Sequence, residues 1–541
     1  MNAPAMPAAL EKEVQQEQLL PFLLNPNSYP HRPRSVRLVQ THASFVFIVP
    51  PLVYKMKKAV NFGFLNFSTL ERRRHFCARE VELNSRLCPT MYLGVVPISL
   101  GAHGYRFGEG EHTIEYAVKM RKLSDRYFLD KIIRRRIVEP AELDKVVATL
   151  AEFYRGQHLG PEIIEWGEVE RLRISTDENF RQTEEFVGRT LSAAAFQTLR
   201  FFTDEFYAHG EPLFHWRVKE GRIRDCHGDL HLEHIHLAPK ALNIFDCIEF
   251  NDRLRYIDVA NDVAFLAMDL DFEHQPGLAR HFIEAIVKAL NDNGMRQLID
   301  FYKCYRAYVR GKVESLHSIA QAAAESERSV SATRAQRYFR LALQYAVAGS
   351  RPLVLAVMGR IGSGKTTLAR AAGAELGWEV ISSDRVRKEL AGFPLFERSS
   401  EAARSRLYSE SMTGKTYDRL LALADQKVQN GCSVILDATF ARRAQREALV
   451  NRFGRSGVEL RLVETQADDQ TVRNRLNARE AKPDEISDAR LEDYEMLNSI
   501  YEPPTEFPAR HCCGVATTIA EPVLHTLKWL ARMQVESQCL L

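Results

Sequence analysis

The spacing of hydrophobic and polar residues divides the chain into two parts with a different order of elements. In the first part, short apolar runs predict four strands, at 44–49, 52–56, 95–100 and 113–120. A helix is predicted over residues 69–87, with Ser68 as its N-cap. From Ser124 to the His-rich segment near Cys226 the pattern is mostly helical. Strands followed by helices predict a small α+β lobe and then a larger helical lobe.

The second part begins near Gly349 and alternates strand-like with helical stretches. Its first strand, 353–358, is a continuous apolar run followed by glycine, which is typical of a buried parallel strand. Further strand-like runs lie at 379–381, 433–436 and 460–463. This alternation predicts an α/β domain with a parallel sheet.

Composition and charge narrow the class of protein. The chain has 541 residues, and its 73 Lys and Arg against 70 Asp and Glu give a net charge of +3. This near-balance argues against a protein dedicated to nucleic acids or membrane surfaces. Apolar runs are too short to span a bilayer, and the first residues do not resemble a secretory signal. The nine cysteines form no C-x-x-C pair, so we expect reduced thiols and a cytoplasmic location.

The strongest chemical signal is a phosphate-binding loop after the strand 353–358. Residues 359–366 match G-x-x-x-x-G-K-[ST] completely, and a helical stretch beginning at Thr367 follows. In such a loop, backbone N–H groups and the helix N-terminus bind phosphate oxygens. Lys365 would reach the β and γ phosphates of ATP, and Thr366 would ligate Mg²⁺. The residues predicted to bind nucleotide here are Gly359, Gly362, Ser363, Gly364, Lys365, Thr366 and Thr367.

Two carboxylates follow neighbouring predicted strands. Asp437 ends an apolar strand in the Walker B pattern and would hold the metal directly or through water. Asp384 follows the strand 379–381, at the strand end where ligands of open α/β sheets bind. There it could accept a proton from an attacking hydroxyl. The alternative is that Asp384 only caps the next helix.

Three arginines, Arg473, Arg475 and Arg479, precede a loop over 480–487. Arg475 and Arg479 share a helix face and could close over the nucleotide as a lid that neutralises transition-state charge. The alternative is a solvated basic helix face.

The segments 359–369, 381–392, 433–440 and 473–489 together resemble the small P-loop kinases of the gluconate-kinase and zeta-toxin type, and also polynucleotide 5′-kinases. The resemblance covers about residues 351–530. It implies that Asp384 is the acceptor-side base, that Arg387 contacts acceptor or phosphate, and that Arg475 and Arg479 are lid arginines. It does not identify the acceptor.

A second motif lies at residues 226–234. His227, Asp229 and Leu230 match the protein-kinase catalytic loop H-R-D-L-x-x-x-N, with Asp246 downstream where a metal-binding Asp is expected. Asp229 would then accept the acceptor's proton and Asp246 would hold Mg²⁺. Position 234, which holds the second metal ligand Asn in kinases, is His234.

Upstream, a lysine–glutamate pair completes this constellation. Lys55 ends a predicted strand, as a nucleotide-binding lysine should, and Glu80 lies on the following helix. Lys57 and Glu82 are rival candidates.

The segments 227–231 and 245–265 resemble the aminoglycoside phosphotransferase-like branch of the kinase-like fold, over about residues 35–330. The whole chain resembles bacterial two-domain proteins that join such a domain to a P-loop ATP-binding domain. We therefore predict an α+β kinase-like domain followed by an α/β P-loop domain. The predicted boundaries are a flexible N-terminus at 1–30, a kinase-like domain at 31–345 and a P-loop domain at 351–535.

Two departures from the kinase pattern leave alternatives for the first domain. Residues 41–45, where a Gly-rich loop would cover the phosphates, contain no glycine, and His234 is a poorer ligand for Mg²⁺ than Asn. One metal could suffice, a softer metal could be used, or the domain could bind nucleotide without efficient turnover. A zinc cluster of His227, His231, His234 and His236 is a further alternative, which the kinase order of Asp229 and Asp246 disfavours.

These observations predict an ATP-dependent phosphotransferase that acts on a hydroxyl of a small molecule and uses ATP and Mg²⁺. The sequence evidence for catalysis is strongest for the P-loop domain. The first alternative is a kinase-like sensor that regulates a P-loop kinase or ATPase. The second is a polynucleotide 5′-end kinase, which the near-neutral charge argues against.

Overall fold

The computed structural model describes residues 8–320, 323–454, 458–480, 486–487 and 490–539. The chain divides into two compact units. One contains Met1–Leu172 and Phe214–Ile299, and we call it the N-terminal unit; the other contains Arg173–Leu213 and Asp300–Leu541, and we call it the P-loop unit. By its contacts, the chain from Asp300 onwards thus belongs to the P-loop unit. The boundaries derived from the sequence, which place residues up to 345 in the first domain, stay a prediction.

The strands of the structure are β1 Arg37–Gln40, β2 Ser44–Val49, β3 Leu52–Lys57, β4 Tyr92–Gly101, β5 Gly104–Phe107, β6 His112–Arg121, β7 Ile223–Asp225, β8 Ile235–Ala238, β9 Ala241–Ile244, β10 Tyr256–Asp258, β11 Leu353–Gly359, β12 Glu379–Ser382, β13 Val434–Asp437, β14 Glu459–Gln466 and β15 Cys512–Ala516.

The α-helices are α1 Ala8–Leu24, α2 Leu70–Ser85, α3 Leu129–Arg135, α4 Asp144–Gly156, α5 Pro161–Ile164, α6 Val169–Thr183, α7 Ala193–Lys219, α8 Val259–Phe272, α9 Pro276–Leu290, α10 Met295–Ser318, α11 Glu325–Ala348, α12 Lys365–Leu376, α13 Ser383–Leu390, α14 Glu401–Leu407, α15 Glu410–Gln429, α16 Arg443–Phe453, α17 Asp469–Glu480, α18 Tyr494–Ser499 and α19 Pro522–Cys539. Within the described ranges, none of these helices has the length and apolar character needed to cross a bilayer.

The N-terminal unit is built on a six-stranded antiparallel sheet with the order β1-β2-β3-β6-β4-β5. Side chains alternate between its two faces. Tyr54 and Met56 of β3 enter one apolar cluster, and Val53 enters another, on the face that also contains Cys77 of α2. Lys55 and Lys57 share the face of Val53, so the alternation of β3 directs both lysines towards α2. The predicted α+β architecture of this part is confirmed.

Helix α1 is a difference from the sequence-based expectation of a flexible segment over 1–30. Leu19 and Leu23 are almost fully buried in the cluster that contains Tyr54. Gln16 is also buried, and its side-chain amide donates to the carbonyl oxygen of Lys57 (3.0 Å) and to Glu115 (2.7 Å). The Ala, Pro and Gln content suggested a lead-in, but two leucines and one glutamine fix the end of this helix to the sheet.

Helix α2 begins one residue later than predicted, and its N-cap is Thr69 instead of Ser68. The Thr69 hydroxyl accepts a hydrogen bond from the backbone N–H of Arg72 (3.2 Å). The side chain of Ser68 instead donates to Asn66 (2.7 Å). Both residues are good caps by type, so the local sequence alone could not choose between them.

The P-loop unit contains a five-stranded parallel sheet with the order β12-β13-β11-β14-β15. All seven residues of β11 are buried, as expected for a strand covered by helices on both faces. The predicted α/β parallel sheet is confirmed, with a fifth strand, β15, that the sequence analysis missed. Its sequence, Cys512–Ala516, is short and only partly buried, so it lacks a clear apolar run.

The helical part of the N-terminal unit contains a fully buried ion cluster. Arg217 donates two hydrogen bonds to Asp258 (2.8 and 2.6 Å) and one to Asp292 (2.5 Å). All three side chains are at most 1% exposed. Because a buried charge is costly without a partner, these three residues depend on one another.

We expect Arg217→Ala to lower the free energy of unfolding of the N-terminal unit by about 3–5 kcal/mol, because buried Asp258 loses its counter-ion and Asp292 keeps only the longer contact with Arg222 (3.8 Å). Urea unfolding, fitted with two transitions for the two units, measures the change. The matched control is Arg296→Ala, which removes an exposed pair with Glu284 and should cost less than about 1 kcal/mol. Equal effects of the two substitutions would contradict this account.

Candidate active sites

The phosphate-binding loop of the P-loop unit follows the central strand β11 and leads into α12. Gly359 has φ +138°, and a Cβ there would lie 2.6 Å from the carbonyl oxygen of Thr465 on β14. Only glycine fits this close approach of two backbones. Ser363 fixes the loop further, because its hydroxyl lies 2.6 Å from the Thr465 hydroxyl and donates to the carbonyl oxygen of Arg360 (2.7 Å).

Thr366 and Asp437 meet at the carboxyl ends of β11 and β13. The Thr366 hydroxyl donates to the Asp437 carboxylate (2.8 Å). Burial raises the pKa of Asp437, while Lys365 and the Thr366 hydrogen bond act in the opposite direction. A hydroxyl and a carboxylate are oxygen ligands of the type that Mg²⁺ prefers, so these two residues fit the metal that the sequence predicts.

Lys365 is the first residue of α12, and its ammonium donates to the carbonyl oxygen of Arg360 (2.8 Å). Its pKa is lowered to about 8, mainly because burial disfavours the charged form; Asp437 partly offsets this. Burial thus makes the charged form of Lys365 less stable than that of an exposed lysine, although a loop carbonyl accepts its hydrogen bond.

These groups border a cleft of about 420 Å³. Of the residues predicted to act at this site, the cleft is lined by Gly362, Gly364, Lys365, Thr366, Asp384, Arg387, Asp437 and Arg479. Tyr408, Glu410, Arg442 and Gln445 also line it and were not found by the sequence analysis. The volume is sufficient for phosphate groups together with a small second ligand.

Asp384 lies in the first turn of α13, whose N-cap is Ser382. The alternative that Asp384 caps this helix is therefore not what the structure shows. Arg387, one turn later, is 6% exposed and donates to the carbonyl oxygen of Leu407 (2.8 Å) and to Thr413 (3.1 Å). Its guanidinium also lies over the ring of Tyr408. The roles of Asp384 and Arg387 in catalysis stay predictions.

The two predicted lid arginines of α17 occupy different places. Arg479 lines the cleft, whereas Arg475 donates to the carbonyl oxygen of Ser363 (3.1 Å) and to the hydroxyl of Thr517 (2.8 Å). Arg475 thus braces the phosphate loop from outside the cleft lining. Within the predicted lid loop 480–487, residues 481–485 lie outside the described residues. Arg473 is partly exposed and pairs with Glu495 (2.5 Å).

The candidate site of the N-terminal unit forms around Lys55 of β3. Its ammonium lies 2.9 Å from Glu80 of α2 and 2.7 Å from Asp246. Lys57 also contacts Glu80 (2.7 Å) and forms a further buried ion pair with Glu249. Glu82 instead pairs with Arg79 at the surface. The geometry therefore favours Glu80 over Glu82 as the partner of Lys55. Lys57 contacts the same Glu80.

The pKa of Asp246 is lowered: burial acts to raise it, but the opposing effects of Lys55 and His234 are larger. Asp246 therefore stays ionised, with 38% of its side-chain surface exposed. The ammonium of Lys55 donates to this carboxylate across 191 residues of sequence, a contact that the sequence did not predict.

Asp229 is positioned by a buried network that holds the loop preceding it. The carboxylate of Asp262 on α8 accepts hydrogen bonds from the backbone N–H groups of His227 (3.0 Å) and Gly228 (2.9 Å). The ring of His227 accepts from the N–H of Asp229 (3.2 Å), and its Nε2 lies 2.9 Å from the carbonyl oxygen of Phe245. This network fixes Asp229 next to the segment that carries Asp246.

His234 lies between the two carboxylates of the site. Its Nδ1 is 3.5 Å from an oxygen of Asp229, and its Nε2 is 3.4 Å from an oxygen of Asp246. Its pKa is lowered to about 4, first by burial and then by the neighbouring ring of His231. His234 is therefore neutral at neutral pH.

The connection that would cover the phosphates is short. Residues 41–43 join β1 to β2, and the backbone N–H of Thr41 donates to the carbonyl oxygen of Ser44 (2.9 Å) while the Thr41 hydroxyl accepts from the N–H of Ser44 (2.9 Å). This short hydrogen-bonded turn occupies the place at which the kinase pattern would have a Gly-rich loop.

Sequence reasoning missed four residues that position the site residues through buried or partly buried contacts: Glu249, Asp262, Thr465 and Thr517. Asp262 had one available signal, because it lies in the segment 245–265 that carried the kinase-like resemblance. The two threonines lie in no motif, since their function depends on strands and loops that only the folded chain brings together.

The lowered pKa of Lys365 generates a pH prediction. Nucleotide phosphate binds the charged form of Lys365. The affinity for nucleotide is therefore highest well below a pH of about 8, and it falls as the pH rises through that value. Between pH 7 and pH 9 we expect the dissociation constant of a fluorescent ATP analogue to rise about tenfold, because the charged fraction falls by that factor.

Fluorescence titrations at several pH values test this, with Lys365→Met as the reference. The variant should bind more weakly and should lose this pH dependence. A wild-type affinity that is constant from pH 7 to pH 9 would contradict the prediction.

Comparisons with known proteins place the chain among relatives. Residues 354–504 match the family model described as AAA domain. The uncharacterized protein Rv2004c of Mycobacterium tuberculosis (strain ATCC 25618 / H37Rv) is 33% identical over 401 residues, which cover 74% of this chain and 78% of that protein. The uncharacterized protein Mb2027c of Mycobacterium bovis shows the same identity and coverage.

Solved structures resemble each part separately. A gluconokinase from Sinorhizobium meliloti 1021 is 17% identical and covers 34% of this chain and 93% of its own, with a TM-score of 0.23. A choline/ethanolamine kinase family protein from Mesorhizobium loti is 12% identical and covers 61% and 98%, with a TM-score of 0.35. The ADP-bound aminoglycoside phosphotransferase APH(2'')-Ib is 11% identical and covers 61% and 98%, with a TM-score of 0.34.

The predicted α+β fold of the first part and the predicted C-terminal P-loop domain are confirmed. The site geometry and the family-model match support a nucleotide-binding role for the P-loop unit. With 33% identity across more than three-quarters of the mycobacterial protein, the chain belongs to the family of Rv2004c.

Proposed function

We propose that this protein is an ATP-dependent phosphotransferase whose P-loop unit transfers the γ-phosphoryl group of ATP to a hydroxyl of a small molecule. One observation carries the proposal: Lys365, Thr366, Asp437 and Asp384 line the same cleft of about 420 Å³. The cleft thus combines a lysine and backbone donors for phosphate, oxygen ligands for a metal, and a carboxylate for the acceptor.

On the nucleotide side, the backbone N–H groups of the loop and the ammonium of Lys365 bind the β and γ phosphates. Thr366 and Asp437 would hold Mg²⁺, which neutralises charge on the phosphate oxygens when bound. Arg479 lines the same cleft and can stabilise negative charge that moves towards the leaving oxygen. Arg475 acts indirectly, since it braces Ser363 of the loop.

On the acceptor side, Asp384 accepts the proton of the attacking hydroxyl. The hydroxyl oxygen forms a bond to the γ phosphorus, and the bond from that phosphorus to the β–γ bridging oxygen breaks. The products are a phosphate ester and ADP, and the proton resides on Asp384 before it passes to solvent. Arg387 and Tyr408 line this cleft and are candidates to orient the acceptor.

The N-terminal unit supports a second candidate function, as a nucleotide-binding sensor that regulates the P-loop unit. Lys55, Glu80 and Asp246 form the ion pairs expected of a nucleotide site. His234 beside Asp246 and the short turn at 41–43 favour binding over efficient phosphoryl transfer. If this unit does transfer phosphate, Asp229 is the residue that would accept the proton.

The proposed reaction is tested by transfer of label from γ-labelled ATP to a panel of hydroxyl metabolites, aminoglycosides and a 5′-hydroxyl oligonucleotide. For the acceptor found, Asp384→Asn should lower kcat about 100-fold or more while nucleotide binding persists. Arg385→Gln is the matched control, because Arg385 is the exposed neighbour paired with Glu389 and should leave kcat within about twofold.

Unchanged transfer by Asp384→Asn would overturn the assigned role. Transfer to the oligonucleotide alone would establish a 5′-end kinase instead. A chain that binds no adenine or guanine nucleotide in the presence of Mg²⁺ would refute the proposal as a whole.

The contribution of the N-terminal unit is separated by two variants in the same assay. If Lys365→Ala abolishes all transfer and Asp229→Asn leaves it intact, the N-terminal unit is not a second active site. If Asp229→Asn removes transfer to one acceptor that Lys365→Ala retains, the N-terminal unit catalyses that transfer, and both units catalyse if Lys365→Ala in turn removes transfer to an acceptor that Asp229→Asn retains.

A further inference from the structure

Three potential metal ligands meet in the N-terminal unit: Asp229, His231 and His234, which we call the DHH cluster. One ligand atom from each of the three lies within 4.8 Å of the others. His231 is 4% exposed, and its Nε2 is 3.5 Å from an oxygen of Asp229. The rings of His231 and His234 lie 3.9 Å apart. The cluster therefore combines two imidazoles and a carboxylate in one small volume.

The surroundings of His234 set which of its nitrogens can bind a metal. Its Nδ1 lies 2.9 Å from the carbonyl oxygen of Asp229, so Nδ1 carries the proton and donates it to that carbonyl. The lone pair then remains on Nε2, which is 3.4 Å from an oxygen of Asp246. A ring that donates one N–H to a backbone carbonyl and presents its other nitrogen is the usual arrangement of a metal-binding histidine.

The spacing suits a small cation with tetrahedral ligands. Two ligands bound tetrahedrally at about 2.1 Å lie about 3.4 Å from each other. The separation of 3.5 Å between Nε2 of His231 and an oxygen of Asp229 is close to that value, and the three ligand atoms of the DHH cluster lie within 4.8 Å of one another. Ligand atoms at the limit of 4.8 Å would approach each other by about 1.4 Å to bind one ion at that spacing.

The other two histidines of the segment are used differently. Both ring nitrogens of His227 have backbone partners, the N–H of Asp229 and the carbonyl oxygen of Phe245. His236 directs Nε2 to the carbonyl oxygen of Ser124 (3.2 Å). The four-histidine zinc cluster considered from the sequence is therefore not assembled; two of its members join Asp229 instead.

Mg²⁺ fits this donor set poorly, because it prefers an octahedral shell of oxygen atoms and imidazole suits metals such as zinc. We propose that the DHH cluster binds a divalent transition metal of the Zn²⁺ type, through Asp229, His231 and the unprotonated nitrogen of His234. The N-terminal unit thus selects a different metal from the Mg²⁺ fitted by Thr366 and Asp437. This inference requires no phosphoryl transfer by either unit.

The test is a titration of the metal-free full chain with Co²⁺ in the absence of nucleotide, under reducing conditions. Tetrahedral Co²⁺ bound to nitrogen and oxygen has strong visible absorption bands, whereas octahedral Co²⁺ bound to oxygen has weak ones. We expect one strong site per chain, full displacement of Co²⁺ by Zn²⁺, and no displacement by millimolar Mg²⁺.

His231→Gln and His234→Asn should each weaken Co²⁺ binding by at least about 10–100-fold and remove the strong bands. His236→Gln is the matched control, because His236 is equally buried in the same segment but is not in the DHH cluster. It should retain the wild-type spectrum and affinity. Thermal unfolding of each metal-free variant shows whether it is folded.

Binding of Co²⁺ by both ligand variants with wild-type affinity and spectrum would overturn the assignment. So would a wild-type chain that shows only octahedral Co²⁺, or one whose Co²⁺ is displaced equally well by Mg²⁺. If His231→Gln does not fold, the conservative His234→Asn decides, since it restores the residue of the kinase pattern. The readout is metal binding, so its failure is distinct from failure of the proposed transfer reaction.

Discussion

The cost of burying a charged group without a partner is the constraint on which both candidate sites depend. In the N-terminal unit, Lys57 and Glu80 are at most 1% exposed and hold each other, together with Lys55. In the P-loop unit, the buried Asp437 accepts from Thr366, and Lys365 is satisfied by a loop carbonyl. Each pairing fixes the side chain in one place, which is what a site for phosphate and metal requires.

The same constraint explains how distant segments are joined. Asp262 lies in the first turn of a buried helix, and its carboxylate is satisfied by backbone N–H groups of the loop that carries Asp229. Glu249 follows Asp246 in the same segment and pairs with Lys57 on the sheet. Such contacts connect residues far apart in the chain, so the geometry of the site is a consequence of the fold of the whole unit.

The two sites differ in the chemistry of their metal ligands. The P-loop unit offers a hydroxyl and a carboxylate, both oxygen donors, at the ends of adjacent parallel strands. The N-terminal unit offers two imidazoles beside two carboxylates. The two candidate sites thus differ in the metal that their ligands favour, because ligand type is one of the main determinants of metal selectivity.

The sequence by itself determined the features that depend on local order. The alternation of strands and helices predicted the parallel sheet, and a complete motif identified the phosphate loop with its lysine and threonine. The order of Lys55, Glu80, Asp229 and Asp246 identified the kinase-like constellation. Tertiary structure decided the rest. It packs α1 on the sheet and makes Thr69 the N-cap of α2. It also pairs Glu80 with both Lys55 and Lys57, and it places Arg475 against the phosphate loop and Arg479 in the cleft lining. These outcomes depend on which buried surfaces and charges meet across long sequence separations, and a local pattern of residues does not contain that information.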